Sequence, residues 1–351
     1  MFDSKNKFHY IFAIGIILVV SYIGNSFKQT LESTNNDDYK LIQEYLLNES
    51  PLYGYNKPKL WIHTKYELNA RKWKSFQSRG STDLNQPYIH LCIKTIINHC
   101  GDDFNVCLID DETFSKLIPS WDINLNTLAE PIKSHVRELG MAQLIYIYGG
   151  MCVPNSFICS KNLKELYDDG VSNNTPFICE NVNRSCYLQK QKHQLLFVPD
   201  PFFMGANKND ERMWDYVEYL KQRNSYPHFN SEVEFLGESS QYFIECINKQ
   251  AICLIGGEFI GVKSMDRKPI LLEDLMEEDY LSLYPNNYGV YIPQDELLRR
   301  NKYNWFAVLS SKEVLKTNTY ISKVFISSMV ETNTEYQKNH TGNEIQSVLS
   351  I

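Results

Sequence analysis

Between Val136 and Tyr148 the apolar or small residues fall at Val136, Leu139, Gly140, Leu144, Ile147 and Tyr148, the spacing of one buried helix face. Gly149-Gly150 ends that helix, because glycine enters the left-handed conformation of a C-cap at little steric cost. Met151-Cys152-Val153 then reads as a short buried strand, and Pro154 stops it. Upstream, Lys59–His63 reads as a first buried strand. Tyr88–Asn98 has a helical pattern, with Ile89, Cys92, Ile93, Ile96 and Ile97 on its apolar face and Gly101 as its stop. Phe104–Ile109 reads as a second strand, and Asp110-Asp111 cap a short helix Glu112–Leu117. The long helix starts near Glu130. Strand, helix, strand, helix and strand in succession predict an open, largely parallel α/β sheet. Ligands of such sheets sit beyond the carboxyl ends of the strands, which places Asp110, Asp111 and Pro154–Ser156 at the active edge.

The second half alternates less regularly. Pro176–Cys179, Leu195–Val198 and Phe202–Met204 read as short strands, and Lys208–Leu220 and Glu238–Lys249 as helices. Ala251–Ile255 and Glu258–Val262 suit a hairpin around Gly256-Gly257. Pro269–Leu283 contains an acidic helix, and Tyr288–Pro293 and Trp305–Leu309 are further strand candidates. Beyond Met329 the chain is polar, and 330–351 is expected to be a disordered tail.

The only long apolar run is 8–24. It is just under the ~20 residues of a typical membrane helix, with Tyr10 and Tyr22 placed for the two interfaces. Lys5 and Lys7 precede it, so residues 1–7 are expected in the cytosol, 8–24 as an uncleaved signal anchor and the rest across the membrane. Polar residues 25–56 read as a stem, and 57–329 as the folded body. Asn48, Asn173, Asn183 and Asn339 begin glycosylation sequons, which agrees with a lumenal or extracytoplasmic body, as in the Golgi or endoplasmic reticulum.

Composition narrows the partners. The chain has 351 residues, 43% hydrophobic, with a net charge of −7 and no basic stripe interleaved with aromatics, so nucleic acid is excluded as a partner class. Nine cysteines lie scattered with no zinc spacing, so no metal site is expected. Cys179 and Cys186 are spaced for a local disulfide, with free buried thiols as the equal alternative.

Four segments together resemble the glycosyltransferases of family 32 and the related capsular-polysaccharide-synthesis proteins. Lys59–His63 is similar to their opening Lys-Ile-Trp strand, and Pro87–Thr95 to their Pro-x-x-x-x-Cys-x-x-Ser helix. Phe104–Asp110 is similar to their second strand, and Tyr146–Gly150 to their Leu-Tyr-x-Tyr-Gly-Gly. The likeness spans roughly residues 58–160. It implies a glycosyltransferase-A-like open mixed sheet with flanking helices, here preceded by one membrane helix. It also implies a nucleotide-sugar donor and a glycan or glycoprotein acceptor. In that family an Asp-x-Asp after the Gly-Gly strand holds a divalent metal such as Mn²⁺. Here the two positions are Pro154 and Ser156, and neither supplies a carboxylate. The family's Ser-Asp-x-x-Arg falls on Arg137, Glu138 and Met141.

A departing diphosphate then needs its charge neutralised by other groups, with Arg71, Lys72, Lys74, Arg79, Arg299, Arg300 and Lys302 as basic candidates. Two or more such side chains near Pro154 would favour catalysis, and an apolar or acidic edge would count against it. The residues expected to meet the donor are His63, Asp110, Asp111, His135, Glu138, Asn155 and Ser156. Glu234 and Glu238 are the expected source of a base for an acceptor hydroxyl. The leading expectation is sugar transfer without an Asp-x-Asp-bound metal. The alternative is an inactive relative that binds glycans or proteins in the lumen.

Overall fold

The computed structural model describes residues 57–64, 86–182, 195, 197–225 and 232–339. The expected anchor at 8–24, the stem up to residue 56, the loop carrying Arg71, Lys72, Lys74 and Arg79, and Cys186 lie outside the described residues. Among the described residues no helix is long and apolar enough to cross a membrane.

Among the described residues the main sheet has six strands: β1 (Lys59–His63), β2 (Asn105–Ile109), β3 (Gly150–Cys152), β5 (Phe177–Asn181), β6 (Val198–Ala206) and β7 (Cys253–Ile255), in the order β2-β1-β3-β6-β5-β7. β4 (Phe157–Cys159) pairs instead with β8 (Gly289–Tyr291) in a small antiparallel sheet. β1 runs parallel to β2 on one side and to β3 on the other. β6 is antiparallel to both β3 and β5, and β7 is parallel to β5. The sheet is therefore mixed, as the family resemblance implied, rather than largely parallel.

Helix α1 (Pro87–Cys100) connects β1 to β2, and α2 (Thr113–Leu117) follows β2. The long helix α3 is Ile132–Tyr148, close to its expected span. Its end is built as the Gly-Gly pair predicts. Gly149 has φ +72°, Gly150 has φ +95°, and the buried Trp61 donates its indole N–H to the Gly149 carbonyl at 3.0 Å. A Cβ on Gly150 would stand 2.0 Å from the Lys59 carbonyl oxygen, inside the β1–β3 seam. Gly150→Ala is accordingly expected to destabilise the protein by at least about 1–3 kcal/mol through left-handed strain and overpacking, measured by thermal unfolding.

After α4 (Lys164–Gly170) and strands β5 and β6, helices α5 (Glu211–Ser225) and α6 (Glu232–Asn248) close the core. α3 packs on α5 and on β6. Trp61, Leu139, Leu144, Ile145, Tyr216, Phe235 and Phe243 are buried in the resulting cluster. The remaining helices are α7 (Leu272–Met276), α8 (Gln294–Arg299), α9 (Ser311–Lys316) and α10 (Tyr320–Asn339).

Several second-half expectations change. Leu195–Val198 and Phe202–Met204 are not two strands, because Val198–Ala206 is one continuous strand through Pro199 and Pro201. β3 reaches only Gly205 and Ala206, so on that side the strand's first residues are an edge, where a proline forfeits no ladder bond. The hairpin around Gly256-Gly257 is absent: β7 pairs with β5, and the Gly257 N–H donates to the Glu180 carboxylate at 3.2 Å. Trp305–Leu309 contains a 3₁₀ turn, Phe306–Val308, in place of a strand. α10 continues past residue 330, where the tail was expected to begin.

Candidate functional site

A cavity of about 210 Å³ opens where the sheet changes from parallel to antiparallel. His63 comes from the end of β1, Val153–Ser156 from the exit of β3, and Asn181 from the end of β5. β6 runs the opposite way, so its start, Val198–Phe202, lies at the same edge. The first half of α3 supplies Ser134, His135, Arg137, Glu138 and Met141, while Tyr291, Gln294 and Asp295 close the far wall. The β4–β8 pairing brings that last group in from more than a hundred residues down the chain.

Of the residues expected to meet a donor, His63, His135, Glu138, Asn155 and Ser156 line this cavity together, and Asp110 and Asp111 do not. Asp110 Oδ1 accepts from the N–H groups of Glu112 and Thr113 at 3.1 and 3.0 Å, as a local cap. Asp111 is held in an ion pair instead. Arg137 donates Nε to Asp111 Oδ1 at 2.8 Å and Nη2 to Oδ2 at 2.7 Å, and His63 Nε2 lies 3.0 Å from Oδ1. Burial would raise this carboxyl, but the Arg137 and His63 hydrogen bonds outweigh it and hold it well below the usual range. The third Arg137 nitrogen, Nη1, donates to Glu130 at 2.9 Å.

Glu234 and Glu238, expected to supply a base, are not among the cavity-lining residues, and Glu238 is ion-paired with Arg223. Arg299, Arg300 and Lys302 do not line it either. Arg300 is held by Glu273 at 2.7 Å and lies over the Tyr303 ring. Arg137 is the single arginine or lysine among the described lining residues, and its fork is committed to Asp111 and Glu130. The described lining is acidic.

Two buried carboxyls dominate it. Burial pushes Glu138 up to about 7, against the hydrogen bond from the Tyr216 hydroxyl and with a further push from the charge of Asp200. Asp200 was not singled out from sequence. Burial raises it to about 6, opposed by the Phe202 N–H and the Asn181 amide, each donating at 2.9 Å. His135 is stacked on Phe235 with ring centroids 3.6 Å apart, and burial lowers it to about 4, so the ring is neutral at physiological pH. Asn181, Asp200, Tyr291, Gln294 and Asp295 were all missed. Asp200 sits between two prolines and reads as a turn, and the others reach the cavity only through long-range pairing.

At the two positions where the family resemblance implies metal-holding carboxylates, this chain carries none. The Pro154 side chain offers no donor atom and that of Ser156 only a hydroxyl, and among the described residues no three His, Cys, Asp or Glu side chains are grouped to hold a metal.

No protein-family model and no curated protein matches the sequence. Solved structures that resemble the chain include glycosyltransferases. The galactosyltransferase LgtC, solved with donor and acceptor sugar analogs, aligns over 57% of this chain and 74% of its own at 11% identity, with a TM-score of 0.30. The glycosyltransferase GlyE of Streptococcus pneumoniae aligns over 82% of this chain and 66% of its own at 13% identity, with a TM-score of 0.42. Likenesses at this level are distant, and the cavity's own residues decide what chemistry is possible.

Proposed function

We propose that the chain is a glycosyltransferase-like protein that takes the sugar of a nucleotide-sugar donor into this cavity and transfers it to a glycan or protein acceptor. The observation that carries the reading is the constellation at the sheet edge. Carboxyls of Glu138, Asp200 and Asp295, amides of Asn155, Asn181 and Gln294, and hydroxyls of Ser134, Ser156, Ser240 and Tyr291 converge on one small space. Such a lining is dense in groups that hydrogen-bond a polyol, and it lies beyond the carboxyl ends of β1, β3 and β5, where ligands of open α/β sheets bind. The resemblance of residues 58–160 to the family 32 enzymes supplies the nucleotide. An ionised carboxyl there would accept an acceptor hydroxyl's proton, and Asp200, held on both oxygens, is fixed in place for it.

One observation favours a second reading, a glycan-binding protein without transfer. The single guanidinium of the described lining is already bound to Asp111 and Glu130, so that lining has no uncommitted cation for a departing diphosphate. The two readings separate in one experiment. The purified full chain is titrated with UDP-, GDP- and CMP-sugars, with and without Mn²⁺, and free nucleotide is followed over time. Donor binding with hydrolysis or transfer supports the enzyme. Glycan binding with no affinity for any nucleotide sugar supports the second reading and sinks the first. Mn²⁺-dependent binding would contradict the donor set described above.

The apolar run 8–24 with Lys5 and Lys7 before it supports attachment to a membrane, the α/β body lying on the lumenal or extracytoplasmic side.

A further inference from the structure

We infer that this cavity selects an uncharged sugar over an acidic one, with Asp200 as the specificity-determining residue; the inference rests on the donor reading above. The space itself is the first argument. At about 210 Å³ the space within the described lining falls below the roughly 300–1,000 Å³ of pockets that enclose drug-sized ligands and matches a single sugar ring better than a whole nucleotide sugar.

The hydrogen-bonding groups inside narrow the ligand further. Asp200 is 7% exposed and cannot rotate away from the cavity, since Asn181 Nδ2 and the Phe202 N–H each hold one of its oxygens. Asn181 Nδ2 is spent on that bond, and its buried Oδ1 accepts no hydrogen bond among the described residues. Glu138 Oε1 accepts from Tyr216. Asn181 Oδ1 is left to accept from a donor, and the ionised Asp200 has further lone pairs for one. A sugar hydroxyl donates, whereas the carboxylate of a uronic or sialic acid only accepts.

Charge points the same way. An acidic sugar would place its carboxylate among Glu138, Asp200 and Asp295, with Arg137 as the one guanidinium in the described lining and all three of its nitrogens donating to Asp111 or Glu130. Like charges in a partly desolvated site discriminate strongly between otherwise equal ligands. Burial raises Asp200 to about 6, so it is mostly ionised at neutral pH and the repulsion operates there.

The test compares pairs of donors that differ only at C6 of the sugar, a hydroxymethyl against a carboxylate. The full chain is titrated calorimetrically at neutral pH with UDP-glucose against UDP-glucuronate, with GDP-mannose against GDP-mannuronate, and with bare UDP and GDP. The neutral member of whichever pair binds is expected to bind about ten-fold or more tightly than its uronate twin. Asp200→Asn keeps the size and one acceptor, and is expected to bring the ratio close to one. Asp295→Asn, at the exposed end of the wall, guards against a misfolded first variant and is expected to narrow the ratio less. Equal or tighter binding of the uronate by the native chain overturns the inference. A ratio that stays unchanged in both folded variants overturns the role of Asp200. If no donor binds better than its bare nucleotide, the donor reading itself fails and the inference falls with it, a pattern distinct from loss of selectivity alone.

Discussion

Exchange of Arg137 for methionine is expected to lower the unfolding free energy by about 3–5 kcal/mol, the range found when one partner of a buried ion pair is removed. The side chain is 2% exposed, and its fork satisfies both oxygens of Asp111. Without it Asp111 remains largely buried with only His63 in hydrogen-bonding distance and Lys133 at 4.0 Å. The Glu130 contact adds little, because that carboxylate is 49% exposed. Urea unfolding of Arg137→Met, Asp111→Asn and the double variant measures the coupling. The double variant is expected to recover a large part of the loss, since the stranded charge is then gone. A double variant as unstable as the sum of the two singles would mean that Arg137 acts through packing instead.

The second large effect is tied to pH. Glu138→Gln is expected to stabilise the protein by roughly 1–3 kcal/mol above pH 7 and to leave it nearly unchanged near pH 4.5. Burial holds the native carboxyl at about 7 against an ordinary value of 4.5. Between those values the folded state keeps a proton that the unfolded chain releases. The stability this contributes is complete below about 4.5 and is lost as pH rises through about 7. Glutamine cannot ionise and still accepts from the Tyr216 hydroxyl, so it escapes the loss. Asp111 has the opposite sign, protecting the fold above its unfolded value and failing as pH falls. It is present in both proteins and cancels in the difference. Thermal unfolding at stepped pH reads the curve, and a difference that stays constant across the window would remove Glu138 as its source.

The first half of the fold was legible because its elements follow local rules. Helix α3 shows its buried face in Val136, Leu139 and Leu144, and Gly149-Gly150 marks its end with residues that the φ values demand. Counting onward from that pair placed Asn155 and Ser156 on the cavity, and the end of the first strand placed His63 there. What the sequence hid depends on pairing across distance. Nothing local in Pro199-Asp200-Pro201 says strand, because the prolines are tolerated only where β3 stops short. Nothing local in Cys253–Ile255 says that it joins β5 rather than its own neighbours. Glu234 and Glu238 looked available as acids at a helix start, but the pairing of Glu238 with Arg223 is a tertiary fact.

The small β4–β8 ladder has a consequence for anyone dividing this chain. Ile292 donates its N–H to the Ser156 carbonyl at 3.0 Å, which clips the segment leading to Gln294 and Asp295 onto the exit of β3. The stretch 58–160 is thus only part of the cavity lining, whose last wall is encoded near residue 295. Shuttled alone into another scaffold, it would bring the floor of the cavity without its side, and grafting specificity from one such protein to another means moving both ends of that ladder together.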